Sequence, residues 1–74
     1  MNTEFQALKM RYLREHGEEK ENLLSQLREN LKQRNGNGSL YSFRYTYQGK
    51  TLDIDECNEH ELFEIDGDIV NFEK

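Results

Sequence analysis

The sequence predicts an α+β domain in which two N-terminal helical segments, or one long helix bent at Gly17, precede an antiparallel β-meander of three or four strands. Three observations predict this class. Apolar residues recur at helical spacing up to Arg34, two Asn-Gly pairs interrupt the chain, and alternating apolar and polar residues follow. We therefore expect a single domain of 74 residues with a helical part (3–34), a joint (35–38) and a sheet part (39–73).

The helical part is predicted to begin at Thr3, because Thr3 and Gln6 have the spacing of a capping box. An apolar stripe at helical spacing follows, formed by Phe5, Leu8 and Tyr12. After Gly17, the stretch 18–34 carries its acids first and its bases last, as the helix dipole prefers. Gly17 either ends the first helix or only bends a long one, since glycine costs about 1 kcal/mol inside a helix yet is common just past a helix end.

A narrow leucine stripe lies on the second helical stretch. Its members are Leu23, Leu24, Leu27 and Leu31. If the helix ran unbroken, this stripe would need a partner longer than the short strands, and pairing with a second copy would make the protein a coiled-coil homodimer. If two helices fold back onto the sheet, the same stripe covers the sheet instead. Both interpretations fit the sequence.

A β-hairpin is predicted within the stretch 39–55, with a two-residue turn at Gln48-Gly49. This turn sets Tyr47 opposite Lys50 and Tyr45 opposite Leu52, with Phe43 opposite Ile54 on the same face. Arg44 should then pair with Asp53 on the other face. The apolar face of the hairpin is expected to be core.

A second hairpin is predicted around Asp66-Gly67, a dipeptide typical of tight turns. Its strands would be the stretches 62–65 and 68–72. The complete sheet would then bury one apolar face under the helices, formed by Phe43, Tyr45, Leu52, Ile54, Phe63, Ile65, Val70 and Phe72.

Composition limits the compartment and the class of protein. Cys57 is the only cysteine, so no internal disulfide can form and a reducing compartment, the cytoplasm, is expected. No apolar run approaches the length that spans a bilayer, so we expect no membrane segment. Charge is unevenly divided: residues 1–50 carry nine Lys or Arg against six Asp or Glu, whereas residues 51–74 carry one against nine.

Residues that could do chemistry do not form a complete site. Cys57 and His60 have the spacing of two zinc ligands, but a structural zinc site needs four and no second pair exists. The run 53–64 imitates a calcium loop, yet Cys57 and Asn58 stand where an oxygen donor and a glycine are required. The carboxylate pairs Asp53/Asp55 and Asp66/Asp68 lie at hairpin edges, where they should be solvated, and no phosphate-binding glycine loop is present. We therefore expect no enzyme, no metal and no cofactor.

Protein recognition is the function that the charge pattern favours. Carboxylates of one sign steer association with a basic partner. The predicted partner-binding residues are Asp53, Asp55, Glu56, Glu59, Glu61, Glu64, Asp66 and Asp68. One version of this hypothesis is a regulatory inhibitor that occupies the basic surface of a nucleic-acid-handling protein, an analogy with small phage-encoded inhibitors that rests on size and charge.

Two other functions remain as alternatives. Single-stranded nucleic acid could stack on the hairpin aromatics, including Tyr41 and Tyr47, with Arg44 and Lys50 neutralising phosphates. Nucleic acid is expected to be a poorer partner, because the rings share the face that the fold needs for its core and the acidic second half repels phosphates. The leucine stripe supports the other alternative, a coiled-coil dimerisation module.

Overall fold

The computed structural model describes residues 2–35 and 43–72. Its elements, in chain order, are α1 (Thr3–Arg14), α2 (Gly17–Asn35), β1 (Arg44–Tyr47), β2 (Lys50–Asp53), a 3-10 turn (Ile54–Glu56) and α3 (Glu59–Phe72). The described residues thus form three helices and a two-stranded antiparallel sheet, which confirms the α+β class. Of the predicted joint, only Asn35 lies within the described residues, as the last residue of α2.

The N-cap of helix α1 lies one residue earlier than predicted. Asn2 is the N-cap, and its side-chain Oδ1 accepts a hydrogen bond from the Phe5 backbone N–H at 2.8 Å. Thr3 is already helical, and the Gln6 side chain donates to Asp66 at 3.3 Å instead of returning to the helix start. Asparagine is among the strongest N-cap residues, so Asn2 is preferred over Thr3 in this role.

Gly17 separates the two helices. The first ends at Arg14 and the second begins at Gly17, whose φ of +64° is in the left-handed region that favours glycine. The long unbroken helix is therefore wrong, and two helices form. They run antiparallel, since Asn2 contacts Asn30 at one end and Arg11 pairs with Glu19 near the other.

The first hairpin has the predicted register. Tyr47 pairs with Lys50, Tyr45 with Leu52 and Arg44 with Asp53. Gln48 and Gly49 both have positive φ, 49° and 79°, which is the backbone of a type I′ turn. Tyr45 is buried as expected, and Leu52 and Tyr47 are half-buried.

The prediction that Phe43 belongs to the core is wrong, because its side chain is 55% exposed. It lies just before β1, at the end of a sheet that has two strands among the described residues, and no described strand covers it. The Lys32 ammonium lies 5.1 Å from its ring centroid. Ile54 does join the core, but from the 3-10 turn that follows β2.

The second hairpin is wrong, because the chain from Glu59 to Phe72 is one helix, α3. Its core face carries Leu62, Ile65 and Ile69, which have helical spacing and are all buried. Burying an aliphatic side chain stabilises by about 1.5–3 kcal/mol, whereas Gly67 inside a helix costs about 1 kcal/mol, so packing outweighs the local turn preference of Asp66-Gly67.

A capping box also begins α3. The Asn58 side chain accepts from the Glu61 backbone N–H at 2.9 Å, and the Glu61 carboxylate accepts from the Asn58 N–H at 3.0 Å. Of the other residues predicted for the sheet core, Phe63 and Val70 are half-buried on this helix. The side chain of Phe72 lies outside the described part of the chain.

The core lies between the three helices and the inner side of the hairpin. Leu23, Leu27 and Leu31 of α2 form its centre and are fully buried. Phe5 and Tyr12 of α1 meet Phe63 of α3 edge to face, with ring centroids 6.3 and 6.4 Å apart. The apolar residues that α2 was expected to place on a sheet therefore lie mainly against other helices.

Candidate functional site

Three of the eight predicted partner-binding carboxylates bond to side chains that are distant in sequence. Asp66 is one of them, and it is only 5% exposed. Its carboxylate accepts from Arg34 at 2.6 Å and from Gln6 at 3.3 Å. Asp66 thus connects α3 to α2 and α1, and it is not available to a partner.

Asp68 and Asp55 also make internal bonds. The Tyr45 hydroxyl donates to Asp68, which attaches the hairpin to α3, and burial, together with this bond, raises the pKa of Tyr45. The Lys32 ammonium donates to Asp55 at 2.9 Å, and this hydrogen bond raises the pKa of Lys32. Three of the eight carboxylates therefore hold the fold together.

The other five carboxylates lie in the 3-10 turn, just before it, and in the first two turns of α3. We call them the acidic segment, and they are Asp53, Glu56, Glu59, Glu61 and Glu64. Four of them are exposed and Glu61 is half-buried. Three of them, Asp53, Glu56 and Glu61, lie near enough to the Cys57 thiol to raise its pKa, although burial is the larger cause.

Several members of the acidic segment have local structural roles. Asp53 caps the 3-10 turn by accepting from the Asp55 N–H at 3.0 Å, and Glu61 closes the capping box of α3. Glu64 lies 2.5 Å from the His60 imidazole. Glu56 makes no ion pair with any described residue. Local structure therefore does not account for Glu56.

A groove lies between the hairpin and α3, beside the acidic segment. Its volume is about 220 Å³, and it is lined by Tyr47, Gln48, Lys50, Leu52, Glu61 and Glu64. Partial desolvation raises the pKa of Tyr47, and the neighbouring Glu64 carboxylate adds to that effect. This volume is below the roughly 300–1,000 Å³ typical of small-molecule sites, so the groove has room for one side chain or a fragment of similar size.

Comparison of the chain with protein families, with curated proteins and with solved structures finds no match. The chemistry of the site therefore follows from its own residues. Within residues 2–35 and 43–72, no group of three or more His, Cys, Asp or Glu is placed to hold a metal ion. Cys57 is buried and donates to the Asp53 carbonyl at 3.3 Å, whereas the His60 side chain is 80% exposed. No helix in the same ranges is both long and apolar enough to cross a bilayer.

Two of the hairpin aromatics, Tyr45 and Tyr47, are poorly placed to stack nucleic-acid bases. Tyr45 is buried under its bond to Asp68, and Tyr47 faces a groove that two carboxylates also line. Phe43 is exposed, while Tyr41 lies outside the described residues. Carboxylates beside Tyr45 and Tyr47 repel phosphates, whereas the Phe43 ring lies beside the Lys32 ammonium.

The leucine stripe is largely enclosed within one copy of the chain. Leu23, Leu27 and Leu31 have no exposed surface, and Leu24 is half-buried. A second copy could contact the first three only if the helices of the monomer separated. Among the helix side chains that the structure describes, the large apolar ones that are exposed lie on α1, where Met10 and Leu13 are 60% and 56% exposed.

Proposed function

We propose that the chain is a non-catalytic protein-binding module of regulatory or inhibitory type, which docks on a basic surface of its partner through the acidic segment. A nucleic-acid-handling protein is the partner class that this chemistry fits, because such proteins use Lys and Arg to neutralise phosphates. The observation that carries the proposal is the exposure of Glu56, which makes no ion pair with any described residue and lies among the exposed carboxylates Asp53, Glu59 and Glu64.

The distribution of charge between elements supports this docking surface. Helix α3 contains five carboxylates and no Lys or Arg, while α1 and α2 carry most of the bases. Charges of one sign on one side of a molecule steer a partner of opposite charge and increase its association rate. The protein would therefore approach a basic partner with α3 and the 3-10 turn foremost.

Helix stability explains only some of these acids. Glu59 and Glu61 lie in the first turn of α3, where negative charge is favourable to the helix dipole. Glu56 precedes that helix and Glu64 lies in its second turn, so this effect does not account for them. Glu64 contacts His60, whereas Glu56 makes no ion pair with a described residue, and binding is the function that gives Glu56 a role.

Charge reversal tests the proposal. The double variant E56K/E59K should lose the partner that the wild-type chain captures from extracts of the cells that encode it, as measured by affinity capture and mass spectrometry. The matched control is E4K/E18K, which changes the net charge equally at exposed residues of α1 and α2. Circular dichroism should show that both variants fold.

Capture that is lost equally in both variants would contradict the proposal, because net charge alone would then explain it. Capture that is unchanged in E56K/E59K would contradict it as well. A gel shift of single-stranded DNA at low salt, abolished by R44Q, would instead favour the nucleic-acid alternative.

A further inference from the structure

The groove between the hairpin and α3 is lined by acidic, aromatic and aliphatic side chains together, whereas the rest of the acidic segment offers carboxylates alone. Glu61 and Glu64 form one side, Tyr47 forms another, and Leu52 supplies apolar surface. The two glutamates are three residues apart on a helix, so their side chains are neighbours at about 5–6 Å between Cβ atoms. A ligand in the groove would therefore meet two carboxylates and an aromatic ring together.

Among protein side chains, arginine matches this combination best. Its guanidinium is planar, presents five N–H donors in a rigid fork and stacks on aromatic faces. Its methylene stem gains from contact with apolar surface, which Leu52 provides. Lysine offers a compact ammonium that neither stacks nor bridges two carboxylates as well.

Both carboxylates keep capacity to accept further hydrogen bonds. The Glu61 Oε1 accepts from the Asn58 N–H, and the Glu64 Oε1 faces the His60 Nε2. A carboxylate has about four acceptor positions, so one or two internal bonds leave room for a guanidinium. The internal bonds also fix the side chains and lower the entropy that binding would cost.

Lys50 is the one cationic residue among the described residues that line the groove. It is exposed and lies opposite Tyr47 in the hairpin register, so it adds positive charge to the site where a cation would bind. Removing this charge should strengthen the binding of a cation, whereas it would weaken the binding of an anion.

We propose that this groove receives one arginine side chain of the basic partner, with the guanidinium between Glu61 and Glu64 and against the Tyr47 ring. The inference rests on the proposed docking function and identifies the side chain that anchors it. The rest of the acidic segment then supplies long-range attraction, and the groove supplies selectivity for arginine over lysine.

A titration with a small probe tests the groove without the partner. The probe is the blocked tripeptide acetyl-Gly-Arg-Gly-amide, added to the isotopically labelled full chain and followed by amide chemical shifts. We expect saturable shifts at Tyr47, Leu52, Glu61 and Glu64, and weaker binding of the lysine tripeptide. The variant E64Q should weaken arginine binding at least about fivefold, and K50Q should strengthen it.

The matched control is E18Q, which makes the same change at an exposed carboxylate of α2, outside the groove lining and outside the acidic segment, and should leave the affinity unchanged. Equal losses in E18Q and E64Q would overturn the inference, because the peptide would then respond to acidic charge in general. Absence of saturable shifts, equal binding of arginine and lysine, or weaker binding in K50Q would also overturn it.

The two proposals fail in different ways. If the tripeptide does not bind while partner capture still depends on Glu56 and Glu59, the arginine groove is wrong and docking through the acidic segment stands. If the tripeptide binds with the expected selectivity while capture is unaffected by E56K/E59K, the groove stands and docking through the acidic segment is wrong.

Discussion

A buried polar network joins the three helices at the level of single residues. Asn30 donates to Asn2 at 3.3 Å, Arg34 donates to Asn30 at 3.1 Å, and Arg34 pairs with Asp66 at 2.6 Å. The Arg34 and Asp66 side chains are only 10% and 7% exposed. A buried ion pair adds little when complete, but removing one partner leaves an uncompensated charge away from water.

The variant D66N should therefore lower the free energy of unfolding by about 2–3 kcal/mol, because it removes one charge while keeping the side-chain volume. Urea unfolding followed by circular dichroism measures this change. The control E56Q removes an exposed charge and should change stability by less than about 0.5 kcal/mol. A D66N variant as stable as E56Q would show that the pair contributes nothing to the fold.

At the scale of elements, two glycine turn signals have opposite outcomes. Gln48-Gly49 forms the hairpin turn, whereas the stronger signal Asp66-Gly67 lies inside α3. Gly49 has a φ of +79°, a backbone conformation that would be strained for alanine. Gly67 has ordinary helical backbone, and a methyl group added there would meet open space.

The variant G67A should consequently raise the free energy of unfolding by about 1 kcal/mol, since alanine favours the helix. The control G49A should lower it, because alanine resists positive φ. Thermal and urea unfolding measure both effects. If Asp66-Gly67 formed a hairpin turn, G67A would lower the free energy of unfolding. A destabilised G67A variant would therefore contradict the helical conformation of residues 66–67.

The sequence predicted correctly the elements that are determined by residues close together in the chain. The hairpin register follows from a two-residue turn, and α2 follows from its leucine spacing. In α3, the spacing of Phe63 and Ile65 fits an alternating strand as well as a helix. The prediction therefore depended on the turn preference of Asp66-Gly67, which wrongly indicated a hairpin. The capping spacing of Asn58 and Glu61 was the local signal that could have identified the helix.

The candidate site was predictable as a set of acids but not as a surface. Which carboxylates are exposed depends on partners distant in sequence: Lys32 and Tyr45 each lie 23 residues from their aspartates, and Arg34 lies 32 from Asp66. No spacing rule connects such residues. The groove was missed for the same reason, because it needs the hairpin and α3 side by side.

For the whole molecule, several groups lose their protons at higher pH in the folded state than in the unfolded chain. Desolvation raises the pKa of Tyr12, Tyr45 and Cys57, and the bond to Asp55 raises that of Lys32. A raised folded-state pKa means that unfolding releases protons at alkaline pH. The contribution of these groups to stability is fully present below their pKa values in the unfolded chain, the lowest of which is 9.0 for the Cys57 thiol. It is lost as the pH rises through their higher pKa values in the folded state.

We therefore expect the free energy of unfolding to fall steadily above about pH 9 and to fall less steeply in Y45F. Urea midpoints across the alkaline range, with tyrosinate absorbance as a second probe, measure the slope. At neutral pH, Y45F should cost about 1 kcal/mol for the lost bond to Asp68. The control Y47F alters a less buried phenol and should change the slope less; equal slopes in wild type and Y45F would contradict the assignment.

The position of α3 in the chain has a consequence for the order of folding. The α1–α2 pair and the β-hairpin each need only nearby residues, but Gln6 meets Asp66 across 60 residues. Closing such a separation slows folding, and on the ribosome it cannot happen before α3 has emerged. Until then Phe5 lacks its contact with Phe63, so the nascent chain displays apolar surface that chaperones and proteases recognise.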